Sequence, residues 1–238
     1  MLSERPWDPE AVAMFVAKIL LSLATGMVLA MALNHYLPEK ADADQKFYAF
    51  LIGTLTLHGA ILVLLPGFLK QHGIDWREFF GLRRPQVKRV IILAMTVGLF
   101  VVPMALALNR LSGWIITLFH QKPEEQAIVQ VIQQMGGLGR RICSGLATIL
   151  IAPAAEETLF RGILYPLIKQ LGHPVLAVVG TSLLFAAIHL NLMIFLPLAF
   201  FAFVLVWLYE KTDSLLAPIV AHAFFNAVNF LLVSFLAN

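Results

Sequence analysis

Residues 152–162 read APAAEETLFRG, and they place two adjacent glutamates, Glu156 and Glu157, together with Arg161 inside an apolar stretch. The residues around them, from 141 to 170, have the length and composition of a helix that crosses a membrane. Carboxylates and guanidinium groups are costly to bury in hydrocarbon, so they are rare there and commonly mark functional sites. The stretch therefore predicts a membrane helix with a polar site inside it and Glu156 as its chemical centre.

The composition of the whole chain agrees with this prediction. Of its 238 residues, 60% are apolar and only 13% are charged, whereas soluble domains are about half apolar and a quarter charged. The formal charge of +3 is modest and comes from loops, so no nucleic-acid partner is expected. The one cysteine, Cys143, rules out an intrachain disulfide and a cysteine-based metal cluster. No cleavable signal peptide is expected at the N-terminus.

The apolar runs predict an all-α polytopic membrane bundle of about seven or eight transmembrane helices, since a span needs about 20 apolar residues. The runs cover residues 11–33, 47–69, 90–111 with a continuation towards 119, 141–170, 174–190, 194–209 and 216–236. The segment 121–135, QKPEEQAIVQVIQQM, predicts a short amphipathic helix at the membrane interface. No internal repeat divides the chain, so we expect a single membrane domain.

The charges of the loops predict the orientation of the bundle. Lys70–Arg89 carries six basic and two acidic residues, whereas Asn34–Lys46 carries two basic and three acidic residues. Basic loops remain in the cytoplasm. We therefore expect a cytoplasmic N-terminus and insertion in the inner (plasma) membrane, although Arg140 and Arg141 then lie on the outer side, against the rule.

Three short motifs concentrate the polar groups of the C-terminal spans. In chain order they are E156-E157-x-x-x-R161, F185-x-x-x-H189 and H222-x-x-x-N226. Residues four apart share one helix face, so Glu157 can pair with Arg161, which cannot lose its charge. Glu156 is then left without an evident partner and is available as a proton acceptor.

The turn that follows this helix predicts which groups meet. Glu156 lies 16 residues before Gly172 and His189 lies 17 residues after it. Two antiparallel helices joined at Gly172 bring both side chains to one depth, whereas His222 fits less well because it lies closer to its own turn. His58, a further histidine within an apolar span, is interpreted as a hydrogen-bonded packing residue whose replacement is nearly silent.

In this order and on successive helices, the three motifs resemble those of the CPBP family of intramembrane proteases. That family includes the type 2 CAAX prenyl proteases and the bacterial Abi proteins. The resemblance covers residues 149–229. It implies a four-helix catalytic core, here 137–238, that follows N-terminal helices and an interfacial helix in 1–136. It also implies a glutamic-type endopeptidase without a cofactor, which acts in the lipid bilayer on membrane-associated proteins or peptides.

The same resemblance implies a role for each motif residue. Glu156 and His189 orient and deprotonate a water molecule, and His222 and Asn226 donate hydrogen bonds to the oxyanion that forms. The supporting residues of the motifs are Glu157, Arg161 and Phe185. The sixth span departs from the family, because it reads FLPLAFFAFVLVWLY where relatives often have glycines, and this concerns helix packing rather than chemistry.

Other functions remain open from the residues alone. Glu156, His189 and His222 could form a zinc site of two histidines and one carboxylate with an open water position. The helical signature HExxH of many zinc peptidases is absent. A second alternative is a membrane protein that binds a partner or confers bacteriocin immunity without proteolysis. A transporter is weaker, because the chain has no repeated halves.

Overall fold

The computed structural model describes residues 6–36, 42–83, 86–122, 129 and 137–236, and in these parts all regular secondary structure is helical. Two of the helices are continuous but contain π-helical segments, and their parts are given together in brackets. The helices are α1 (Pro9–Tyr36), α2 (Asp42–Thr54, Leu55–Gly59 and Ala60–Gln71), α3 (Trp76–Phe79), α4 (Val87–Leu118), α5 (Leu138–Leu146, Ala147–Ile151, Ala152–Glu157, Thr158–Leu164 and Tyr165–Gln170), α6 (Pro174–Ala187), α7 (Leu192–Thr212) and α8 (Leu216–Leu236).

Six of these helices, α1, α2, α4, α5, α7 and α8, are long and apolar enough to cross a membrane, and α6 is a shorter apolar helix. Large apolar side chains cover the outside of the bundle, as Val63 does with 78% of its surface exposed. Lipid tails are the environment in which such a surface is stable. The chain is therefore an all-α polytopic integral membrane protein, as predicted. The predicted interfacial helix at 121–135 falls outside the described residues, apart from 121, 122 and 129.

The fifth apolar helix is shorter than the predicted 174–190, because α6 ends at Ala187. The chain turns tightly there, with the Leu190 N–H donating to the Ala187 carbonyl (3.1 Å). Leu190 has a positive φ of 50°, and the Asn191 side chain then caps the start of α7. His189 consequently lies just beyond a helix and not within one. A helix of 14 residues is only about 21 Å long, so this turn remains within the depth of the membrane.

Contacts at the two ends of the bundle agree with the predicted topology, in which successive loops lie on opposite sides of the membrane. At one end the buried Trp7 donates its indole N–H to the Gly162 carbonyl (3.0 Å) and its backbone N–H to the Gln170 side chain (2.7 Å). At the other end Arg140 forms an ion pair with Asp44. Trp7, just before α1, therefore lies beside the end of α5, and the start of α2 lies beside the start of α5.

Three π-helical segments interrupt α2 and α5, and in chain order they contain His58, Thr148 and Arg161. They are Leu55–Gly59, Ala147–Ile151 and Thr158–Leu164. A π turn inserts a residue into the helical repeat and rotates the side chains that follow, and such turns are rare except near functional sites. Of the three motifs, only the one with Glu156, Glu157 and Arg161 extends into a π segment, Thr158–Leu164.

Gly162 is required where α5 meets α3. A Cβ atom at this position would lie 2.6 Å from Cζ of Phe79 and 3.3 Å from Cδ2 of Leu215, and both neighbours are buried. We expect Gly162→Ala to lower the free energy of unfolding by about 1–3 kcal/mol, measured by thermal unfolding in detergent. Gly113→Ala is the matched control, because a Cβ there has no neighbour within 4 Å. Equal midpoints for both variants would contradict this prediction.

Candidate active site

A cavity of about 840 Å³ opens inside the bundle and is lined by residues of α2, α4, α5, α7 and α8. The side chains of Glu156, His189, His222 and Asn226 all line it. The cavity also receives His58 from α2. The four residues to which the resemblance gives catalytic roles thus come together in one place, although they are spread over 71 positions of the sequence, from 156 to 226.

Beside the cavity lies a completely buried ion pair. Arg161 donates from Nη1 to Oε1 of Glu157 (3.0 Å), and neither side chain has exposed surface. The other guanidinium nitrogen, Nη2, donates to the Ala202 carbonyl of α7 (2.9 Å). The guanidinium carbon lies 4.9 Å from the centre of the Phe185 ring, within the range of a cation–π contact. The predicted pairing of Glu157 with Arg161 is confirmed, and the bond from Arg161 to Ala202 ties α5 to α7.

His222 is held by the same carboxylate. Its Nδ1 lies 2.9 Å from Oε1 of Glu157, and since a carboxylate only accepts, Nδ1 carries the donated proton. Its Nε2 lies 3.8 Å from Oε2 of Glu156. The rings of Phe185 and Phe201 pack edge-on against the imidazole, with centres 5.7 and 5.4 Å away. The orientation of His222 is therefore set by Glu157, with Nε2 turned towards Glu156.

The F-x-x-x-H motif fixes the other histidine of the cavity. Nδ1 of His189 lies 2.7 Å from the backbone carbonyl of Phe185, which can only accept a hydrogen bond. Nδ1 therefore carries the proton, and Nε2 of a neutral ring keeps its lone pair as a proton acceptor. The four-residue spacing reflects this bond, because the residue at i−4 supplies the carbonyl. The Phe185 ring also packs against His189 (5.1 Å between centres).

The expectation that Glu156 has no evident partner is wrong. Glu156 has a partner, because Nε2 of His58 lies 3.0 Å from its Oε1, and both side chains are only 14% exposed. His58 is thus hydrogen-bonded, as expected, and its partner is a residue of the polar site. Sequence reasoning missed the contact because His58 lies 98 positions before Glu156 and belongs to no local motif. The available signal was a histidine in an apolar span together with a glutamate that had no assigned partner.

Asn226 is anchored to the second π segment. Its Nδ2 donates one hydrogen bond to the Thr148 carbonyl (2.8 Å), which lies where the regular ladder of α5 is interrupted. A carboxamide has two N–H groups, so a second donor remains for a group in the cavity. Asn226 is therefore fixed in place while it keeps the capacity to donate.

The positions of the cavity side chains bear on the alternative of a zinc site. Within the parts of the chain that the structure describes, no group of three or more His, Cys, Asp or Glu side chains is arranged to hold a metal ion. Glu156 instead directs one carboxylate oxygen to His58 and the other towards His222. These residues are thus arranged around hydrogen bonds, and the response to a chelator distinguishes the two chemistries.

A family model matches the C-terminal part of the chain. Residues 139–228 match the family model described as type II CAAX prenyl endopeptidase Rce1-like. None of the curated proteins and none of the solved structures gives a significant match. The matched residues include all three motifs, from Glu156 to Asn226, and leave out His58. Residues 139–228 of this integral membrane protein are thus similar to the type II CAAX prenyl endopeptidases that this family model describes.

Proposed function

We propose that this protein is a glutamic-type intramembrane endopeptidase that hydrolyses a peptide bond of a membrane-associated protein or peptide. The observation that supports this most directly is the convergence of Glu156, His189, His222 and Asn226 on one cavity inside an apolar bundle. The side chains of Glu156 and His58 are only 14% exposed in this cavity, and electrostatic interactions between such partly buried groups are stronger than at a surface.

Glu156 and His189 supply the two proton acceptors that activate a water molecule. Water is a poor nucleophile at neutral pH, and a positioned general base accelerates its attack by about 10²–10⁴-fold. The carboxylate of Glu156 and the free Nε2 of His189 can each accept one hydrogen of the same water molecule. As the water oxygen bonds to the carbonyl carbon, its proton passes to Glu156. When the C–N bond breaks, the amine nitrogen takes up this proton.

Asn226 and His222 supply donors for the oxyanion. Asn226 keeps one amide N–H beyond its bond to Thr148. His222 donates from Nε2 when its ring carries both protons, and the Glu157 carboxylate at Nδ1 is placed to balance that charge. Each fixed donor to an oxyanion contributes about 10²–10³-fold to the rate. Glu157 and Arg161 therefore support His222 and do not contact substrate.

We propose that the chain resides in the inner (plasma) membrane with its N-terminus in the cytoplasm. The contacts of Trp7 with Gly162 and Gln170 put the start of α1 at the same end of the bundle as the end of α5. The basic Lys70–Arg89 loop lies at this end as well, because the Asp8 N–H donates to His72 (3.4 Å). Basic loops remain in the cytoplasm, so this end is the cytoplasmic one.

The proposal is tested by cleavage of a quenched fluorescent peptide library by the detergent-purified protein, with and without a strong chelator. We expect cleavage that survives the chelator and disappears in Glu156→Gln. Cleavage that is lost with the chelator and restored by zinc would assign the site to zinc chemistry. No cleavage by a folded protein across a broad library would favour the binding or immunity role.

Asn226→Ala should reduce kcat by about 10²–10³-fold and change KM little, because the lost donor acts on the charge that develops in the transition state. A small residual activity should remain, since His222 still donates. Asn229→Ala is the matched control, because the Asn229 amide donates to the Phe225 carbonyl of its own helix. Equal losses in the two variants would show that Asn226 has no special contact with the oxyanion.

A further inference from the structure

His58 lines the cavity but comes from a different part of the chain than the three motifs. Among the described residues that line it, His58 is the titratable side chain that lies outside the three motifs and outside residues 139–228. It comes from α2, within the π segment Leu55–Gly59, which turns its imidazole towards Glu156. The N-terminal half of the chain therefore contributes directly to the polar site.

The hydrogen bonding of His58 defines its protonation pattern. Nε2 donates to Oε1 of Glu156 (3.0 Å), since a carboxylate only accepts. Nδ1 is buried and has no hydrogen-bond partner among the residues that the structure describes. A proton on Nδ1 would be a buried donor without an acceptor, which is unfavourable. The neutral ring with its proton on Nε2 fits this environment, and in that form His58 is a donor and not a base.

The two oxygens of Glu156 consequently have different surroundings. Oε1 is occupied by His58. Oε2 lies 3.8 Å from Nε2 of His222, which is too long for a direct hydrogen bond. The titratable side chains of the cavity that interact electrostatically with Glu156 are His58, His189 and His222.

We propose that His58 is a positioning residue that determines which oxygen of Glu156 acts as the base. It holds Oε1 and leaves Oε2 to take the proton of the attacking water, so that carboxylate rotation does not compete with catalysis. This inference rests on the proposed function, and it adds a residue of the N-terminal half to the machinery. It replaces the prediction that loss of His58 is nearly silent.

The kinetic test compares His58→Leu, which removes the donor, with His58→Gln, which keeps an N–H at a similar distance. We expect His58→Leu to lower kcat by about 10²-fold, as misplaced catalytic groups do, with little change in KM. His58→Gln should recover most of that loss. Leu55→Ala, in the same π segment but 68% exposed, is the control and should behave as wild type. Unchanged kcat in His58→Leu, or equal losses in both His58 variants, would overturn the proposal.

A second measurement does not depend on cleavage. In protein labelled with [15N]histidine, the signals of His58 are those missing from His58→Gln, and they should show a protonated Nε2 and a bare Nδ1. Glu156→Ala should shift the Nε2 signal. A proton on Nδ1, or no response to Glu156→Ala, would overturn the role of His58. Absence of cleavage in the wild type would instead count against the proposed function alone.

Discussion

Glu156→Gln is expected to abolish peptide cleavage while the protein remains folded. The glutamine amide keeps the shape of the carboxylate, and its oxygen can still accept from Nε2 of His58, but it cannot take a proton from water. Loss of a general base alone costs about 10²–10⁴-fold in rate. His189→Ala should abolish cleavage as well, because it removes the second acceptor of the same water molecule. The measurement is kcat/KM on the most rapidly cleaved peptide of the library.

Glu210→Gln is the control for that prediction. Glu210 is a partly buried glutamate that pairs with Lys169 (2.9 Å) and accepts from the Tyr165 hydroxyl (2.7 Å), away from the cavity. It should retain cleavage even if its thermal midpoint falls. Full activity of Glu156→Gln would exclude Glu156 as the base. A biological effect that persists in a folded Glu156→Gln variant would favour a binding role.

Much of the architecture was predictable because membranes impose a simple length rule. Runs of about 20 apolar residues mark spans, and α8 was predicted with its observed bounds. The Glu157–Arg161 pair followed from helical spacing. The approach of His189 to Glu156 followed from counting residues on either side of Gly172. Each of these inferences uses only local periodicity and the rise of a helix.

What the sequence did not reveal depends on irregular backbone and on distant contacts. The early end of α6 follows from the left-handed Leu190, a conformation that a leucine rarely adopts. The π segment around His58 rotates this side chain away from the direction that a regular helix would give it. The contact of His58 with Glu156 also joins helices with no shared motif. The hydrogen-bond partner of Glu156 could therefore not be predicted from local sequence patterns.

Arg161→Met should destabilise the protein by about 3–5 kcal/mol, because it leaves the carboxylate of Glu157 buried without its cation. The side chain is completely buried, and its loss also removes the bond to the Ala202 carbonyl of α7. Unfolding in detergent measures the effect. Arg83→Met is the control, since Arg83 is 63% exposed in its pair with Asp75, and a surface pair contributes at most about 1 kcal/mol.

A double variant separates the structural from the chemical consequence of this pair. Glu157→Leu combined with Arg161→Met removes both charges, and an apolar replacement of a buried pair commonly restores stability. The double variant should nevertheless lack cleavage activity, because Glu157 also holds Nδ1 of His222 (2.9 Å) and so keeps Nε2 turned towards Glu156. A double variant that regains both stability and cleavage would show that the pair has no role in the chemistry. A wild-type free energy of unfolding in Arg161→Met alone would contradict the buried pair itself.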